Sequence, residues 1–128
     1  MLNPTGRKQR KRDNHGSGAY LASRGGRVHR GRDYRCDPGQ VVIAPIGGRV
    51  VRKARPYAVG EYSGCVIRNY KMTIKMFYID MYPCIIGRDV CQGDHLGRAQ
   101  DISKKYSGMT PHIHLEIDHI DPELLMGV

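Results

Sequence analysis

The chain has 128 residues, 40% of them hydrophobic, and a net charge of +9. That length allows one domain with a modest core, the composition is not that of a disordered chain, and no apolar run approaches the roughly 20 residues of a spanning helix. A single phenylalanine, no tryptophan and no recognisable nucleic-acid motif argue against nucleic acid as the partner of that charge, and favour a cell-surface receptor or a polyanion such as a glycosaminoglycan.

The charge is uneven along the chain. "GRKQRKR" places Arg7, Lys8, Arg10, Lys11 and Arg12 ahead of the first acid, Asp13. Residues 1–18 therefore read as a basic, mobile tail, with the folded domain at 19–128. No apolar segment of a signal peptide stands at the N-terminus, so the chain is either intracellular or a mature, trimmed form.

The remainder reads as mainly β. "VVIAPIGGRVV" is a strand, a Pro-Gly-Gly turn and a strand. "CVIRN" is a strand, and "YKMTIKMFYID", residues 70–80, is one longer strand. "CQGDHLGRAQ" suggests a Gly-Asp turn and a second short turn at Leu96-Gly97. "ISKKYSGMTP" is a loop, and "HIHLEID" is the last strand. "DPELLMG" forms a helical turn, capped by Asp121 with Pro122 at its first position. Short strands with frequent turns give a compact antiparallel sheet or barrel-like sandwich.

The four cysteines, Cys36, Cys65, Cys84 and Cys91, have no C-x-x-C spacing. Cys84 and Cys91 bracket "IIGRDV" and are the disulfide candidates; reduced thiols are the alternative.

Six histidines are present. His15, His95 and His119 stand alone and read as surface residues. In "PHIHLEI" the period of a strand sends His112, His114 and Glu116 to one face and Ile113, Leu115 and Ile117 to the other. Neighbouring imidazoles on one face can converge on a metal, or divide between metal and substrate. Upstream, "HRGRD" sets His29 and Asp33 around Gly31, where a tight bend brings imidazole and carboxylate to one point. With one downstream histidine they make three N/O ligands and an open fourth place, an arrangement suited to zinc.

"HRGRD" followed by "HIHLEI", with "APIGGRVV" and "GDHLG" between, resembles the lysostaphin-type zinc peptidases. "GAYLASRGGRVHRGRDYRC", "KMFYI" and the "DP" after the last strand resemble that family's chemotaxin branch. The resemblance implies a zinc ion on His29, Asp33 and His114. It implies that His112 is the non-ligand histidine that meets the reacting carbonyl or oxyanion. In active members a second such histidine stands where Tyr78 stands here, and the chemotaxin branch shares the tyrosine. Tyrosine, with an unperturbed pKa of about 10, is a poor general base near neutral pH, where histidine titrates. The branch is secreted and disulfide-rich, but Thr73 replaces one of its cysteines, and Cys65, Cys84 and Cys91 have no match in it.

Three readings follow: a secreted, zinc-binding signalling or binding protein without efficient peptidase activity; a working zinc metallopeptidase that cuts glycine-rich peptides; and the same fold with an empty site.

Overall fold

The computed structural model describes all residues except Asn14, Gly25, Gly26, His119 and Val128, and describes the backbone alone for the rest of segment 23–28. Eleven strands occur among the described residues: β1 (Ser23–Arg24), β2 (Arg27–Val28), β3 (Arg32–Arg35), β4 (Val41–Ile43), β5 (Gly48–Ala54), β6 (Gly64–Arg68), β7 (Thr73–Phe77), β8 (Ile79–Met81), β9 (Asp89–Val90), β10 (His95–Ala99) and β11 (His112–Ile117). They form a six-stranded sheet ordered β3-β11-β7-β6-β5-β9, a three-stranded sheet ordered β4-β10-β8, and the ribbon β1-β2. Every pairing is antiparallel. Both larger sheets are open, so the mainly β expectation holds without closure into a barrel.

The core lies between these sheets. Tyr34, Val50, Cys65, Ile67, Ile74, Met76, Ile113 and Leu115 come from the large sheet, and Val42, Ile79, Met81 and Leu96 from the small one. β11 follows its alternation: Ile113, Leu115 and Ile117 are buried, each side chain gaining about 1.5–3 kcal/mol from leaving water. Their neighbours carry the polar chemistry on the opposite face.

The long strand expected over 70–80 is two strands in different sheets. β7 belongs to the large sheet and β8 to the small one. The break is Tyr78, at φ 72°, the left-handed region that costs non-glycine residues energy. The N–H groups of Tyr78 and Ile79 both donate to Ser63 O, at 2.7 and 2.9 Å, and hold the bend. No glycine or proline announces it.

The turn expected at Leu96-Gly97 lies inside β10, where the register with β4 shifts. Gly97 is needed there for close approach, since a Cβ would meet Asp80 O at 2.1 Å. The C-terminal turn is a 3-10 helix, Pro122–Leu125, capped as expected by Asp121 accepting from Glu123 N.

The basic segment is not a separate tail. Met1, Thr5 and Arg10 are buried. Leu2 N donates to Pro45 O and Ile43 N to Pro4 O. Around a bridge between Gln9 and Tyr34, Arg10 N donates to Asp33 O and Arg35 N to Lys8 O. The segment thus covers the edge of β3, where unpaired backbone groups would otherwise face solvent.

Cys84 and Cys91 are free, exposed thiols, and Cys36 and Cys65 are free and buried. The expected Cys84–Cys91 disulfide is not formed. Cys84 sits in the 3-10 turn Pro83–Ile85, while β9 pairs with β5, so the two cysteines do not face each other across a hairpin. His119 lies outside the described residues.

Candidate metal centre

The register of β3 against β11 sets Asp33 directly opposite His114. His29 follows β2, where Leu21 N donates to His29 O and His29 N to Ala22 O. The three side chains meet. His29 Nε2, Asp33 Oδ1 and His114 Nδ1 form a triangle with every edge 3.0 Å. All three residues are at most 9% exposed.

Gly31 lies in a bend, as its sequence position implied, and has a second role there. A Cβ there would lie 2.4 Å from Leu115 O and 2.7 Å from His114 Nε2. It is a close-approach glycine that lets the loop lie against β11.

The donor set fits a cation. His29 Nδ1 donates to Ala19 O at 2.8 Å, and His114 Nε2 donates to Glu116 Oε1 at 3.1 Å. These outer bonds fix the ring orientations and leave the inner nitrogens as lone pairs, the arrangement that supports metal-binding histidines. Two such lone pairs and a carboxylate oxygen crowded at 3.0 Å repel unless a positive charge sits among them. A tetrahedral ion with bonds of about 2.0–2.1 Å spaces its ligand atoms about 3.3 Å apart, close to these edges.

A proton on His114 is the competing charge. Burial pulls this imidazole down, but its hydrogen bonds to Asp33 and Glu116 outweigh that and raise it to about 9. Burial pushes the Asp33 carboxyl up, yet His112, His114 and His29 together hold it well below the usual carboxylate range.

His112 stands beside the triangle, not in it. Its Nδ1 donates to Thr110 O at 2.7 Å and its Nε2 lies 3.4 Å from Asp33 Oδ2. Burial lowers its pKa, so at neutral pH it is an uncharged imidazole. Tyr78 packs edge-on against it, ring centroids 5.4 Å apart. The Tyr78 and Tyr57 hydroxyls are 3.3 Å apart. Burial pushes the Tyr78 phenol up to about 12, so it remains a hydrogen-bond donor and not a base.

Residues 27–123 match peptidase family M23. The chain belongs to that family.

The chain is 34% identical over 117 residues to leukocyte cell-derived chemotaxin-2 of Bos taurus, covering 89% of this chain and 76% of the relative. It is 33% identical over 104 residues to myeloid protein 1 of Gallus gallus, covering 79% of this chain but only 31% of that protein. A structure described as an M23 peptidase of Pseudomonas aeruginosa superposes with a TM-score of 0.61 at 18% identity, covering 98% of this chain and 52% of that one. The chain thus spans about half of that structure, and the likeness is one of fold.

The geometry brings together His29, Asp33 and His114, with His112 and Tyr78 alongside. Sequence reasoning missed Arg10, whose Nε donates to Asp33 Oδ2 at 3.1 Å, and Phe77, which stacks on His114 at 5.5 Å. Phe77 was accessible through strand pairing, since it lies opposite His114 in the sheet. Arg10 gave no local signal.

Proposed function

We propose that this chain is a secreted, zinc-binding, chemotaxin-like signalling or binding protein on an M23 metallopeptidase fold, with weak or no peptidase activity. The observation that carries the reading is Tyr78 packed on His112 beside a complete ligand triangle. His29, Asp33 and His114 would hold the zinc, which when bound supplies a Lewis acid and lowers the pKa of a bound water. His112 presents a neutral imidazole to the same space. Tyr78 can donate a hydrogen bond to an oxyanion, but as a protonated phenol it does not supply the general-base help that is worth roughly 100- to 10,000-fold.

The test is hydrolysis of an oligoglycine peptide by the zinc-loaded protein, with and without chelator. Retained stoichiometric zinc without cleavage is the expected result. Chelator-sensitive cleavage would favour the second reading, a metalloendopeptidase for glycine-rich peptides, which the neutral His112 and the full ligand set support.

The partner side of the proposal is a polyanion of the glycosaminoglycan type. On the face of the large sheet that carries His114 and Glu116, adjacent strands align Thr73, Arg68 and Arg49, and in the next row Glu116, Lys75, Val66 and Arg52. Arg49 and Arg68 are directly opposite each other, a like-charge pairing that costs a sheet stability and that a bound anion would relieve. Arg49 also meets the exposed Asp89 at 3.2 Å, whereas Arg68 hydrogen-bonds Thr73. Retention on immobilised heparin should fall for R49S/R68S, and unchanged retention would remove this surface from the proposal.

No helix among the described residues is long and apolar enough to cross a membrane.

A further inference from the structure

Arg10 is 1% exposed, an expensive place for a guanidinium unless its charge is matched. Its partners match it. Nε donates to Asp33 Oδ2 at 3.1 Å, and Nη1 donates to Asp13 Oδ2 at 2.9 Å and to Gly16 O at 2.8 Å. The space is tight: a Cβ on Gly18 would lie 2.7 Å from Arg10 Cβ and 2.9 Å from Asp33 Cβ.

These contacts extend into a chain. Asp13 Oδ2 also accepts from Thr110 N at 2.8 Å. Thr110 O accepts from His112 Nδ1 at 2.7 Å, a bond that holds the His112 ring with its Nε2 3.4 Å from Asp33 Oδ2. The N-terminal segment therefore links the carboxylate of β3 to the start of β11, on which both His112 and His114 are carried.

We propose that Arg10 is a positioning residue for the metal centre: by occupying Oδ2 of Asp33 it leaves Oδ1 alone to face His29 and His114, and through Asp13 it fixes His112 relative to that carboxylate. The proposal rests on reading His29, Asp33 and His114 as metal ligands. Arginine is suited to the task because its planar fork reaches two carboxylates from two nitrogens, which a lysine ammonium at the end of a flexible stem does not reproduce. Outer partners of metal ligands are typically worth about 10- to 100-fold in metal affinity.

The experiment is metal affinity by chelator competition, together with the visible spectrum of the cobalt(II)-substituted protein. Wild type, R10K, R10Q, D13N and H114A are compared, and the metal-free melting temperature of each variant reports whether it folds. R10Q is expected to bind metal about 10- to 100-fold more weakly, with a ligand-field spectrum shifted from wild type as the freed Asp33 carboxylate rotates. R10K should recover part of the affinity without restoring the spectrum. D13N leaves Arg10 in place and carries the test if the Arg10 variants do not fold; it should weaken binding in the same direction. Wild-type affinity and spectrum in folded R10Q or D13N, while H114A loses the metal, would overturn the positioning role and leave the centre standing. No metal bound by wild type would overturn both.

Discussion

The ring of Tyr78 stands perpendicular to the ring of His112, with centroids 5.4 Å apart. The phenol takes up one side of the imidazole that family resemblance assigns to catalysis, and its pKa, pushed up to about 12 by burial, leaves it unable to accept a proton near neutrality. Y78H is expected to raise chelator-sensitive hydrolysis of oligoglycine by about 100- to 10,000-fold. Y78F should retain metal and stay inactive. Wild-type hydrolysis already equal to that of Y78H would remove tyrosine as the block.

Gly31 tests the centre from the other side. G31A drives a methyl into Leu115 O and the His114 ring, and one ligand must move away from the other two. A loss of metal affinity of about 10- to 100-fold is expected, the scale seen when ligand orientation is disturbed. Equilibrium competition with a chromophoric chelator measures it, and an unchanged constant would mean that His114 is not a ligand.

Metal itself should stabilise the fold. A ligand present at 100 times its dissociation constant adds about 2.7 kcal/mol to a protein that binds it only when folded. Adding zinc should raise the melting temperature of wild type and leave that of H114A where it was. Equal shifts in both would place the zinc elsewhere.

Acid should loosen the C-terminal turn. Arg32 donates to Asp121 through Nε at 3.0 Å and through Nη2 at 2.6 Å, tying β3 to the segment after β11. Burial acts to raise the Asp121 carboxyl, but the bonds from Arg32 and Glu123 N outweigh it and lower its pKa. A carboxyl lowered on folding adds stability above its unfolded value of about 3.9, and that contribution disappears as pH falls through the folded value. Urea titrations should show wild type losing its advantage over D121N on going from pH 6 to below about 3.9. A constant difference across that range would contradict the assignment.

The thiols should divide two and two. Cys84 and Cys91 are exposed, whereas Cys36 and Cys65 are buried, with burial pushing each buried thiol up to about 12. Mass spectrometry after brief alkylation of the native protein should find label on Cys84 and Cys91 alone. Protection of that pair until a reductant is added would reveal the disulfide that is not formed in this structure.

What the sequence made legible was local. Alternation in "HIHLEI" announced β11 and its two faces, and the spacing of His29 and Asp33 named two corners of the triangle. What it hid depends on long-range contacts. Arg10 sits in a run of basic residues that reads as solvated, and only Asp13 and Asp33 folding onto it give it a buried place. The change of sheet at Tyr78 carries no glycine or proline, because Ser63 O and the surrounding packing impose the conformation. Gly97 looks like a turn residue and is instead a strand residue pressed against Asp80.

The left-handed backbone at Tyr78 has an evolutionary consequence. Histidine is among the side chains enriched in that region, so the bend that carries the phenol would also carry an imidazole. Tyrosine and histidine codons differ by a single transition at the first base. The scaffold therefore stands one nucleotide from the residue that resemblance gives to the hydrolytic members, and an exchange of the two side chains at this position would not require a strand to be rebuilt.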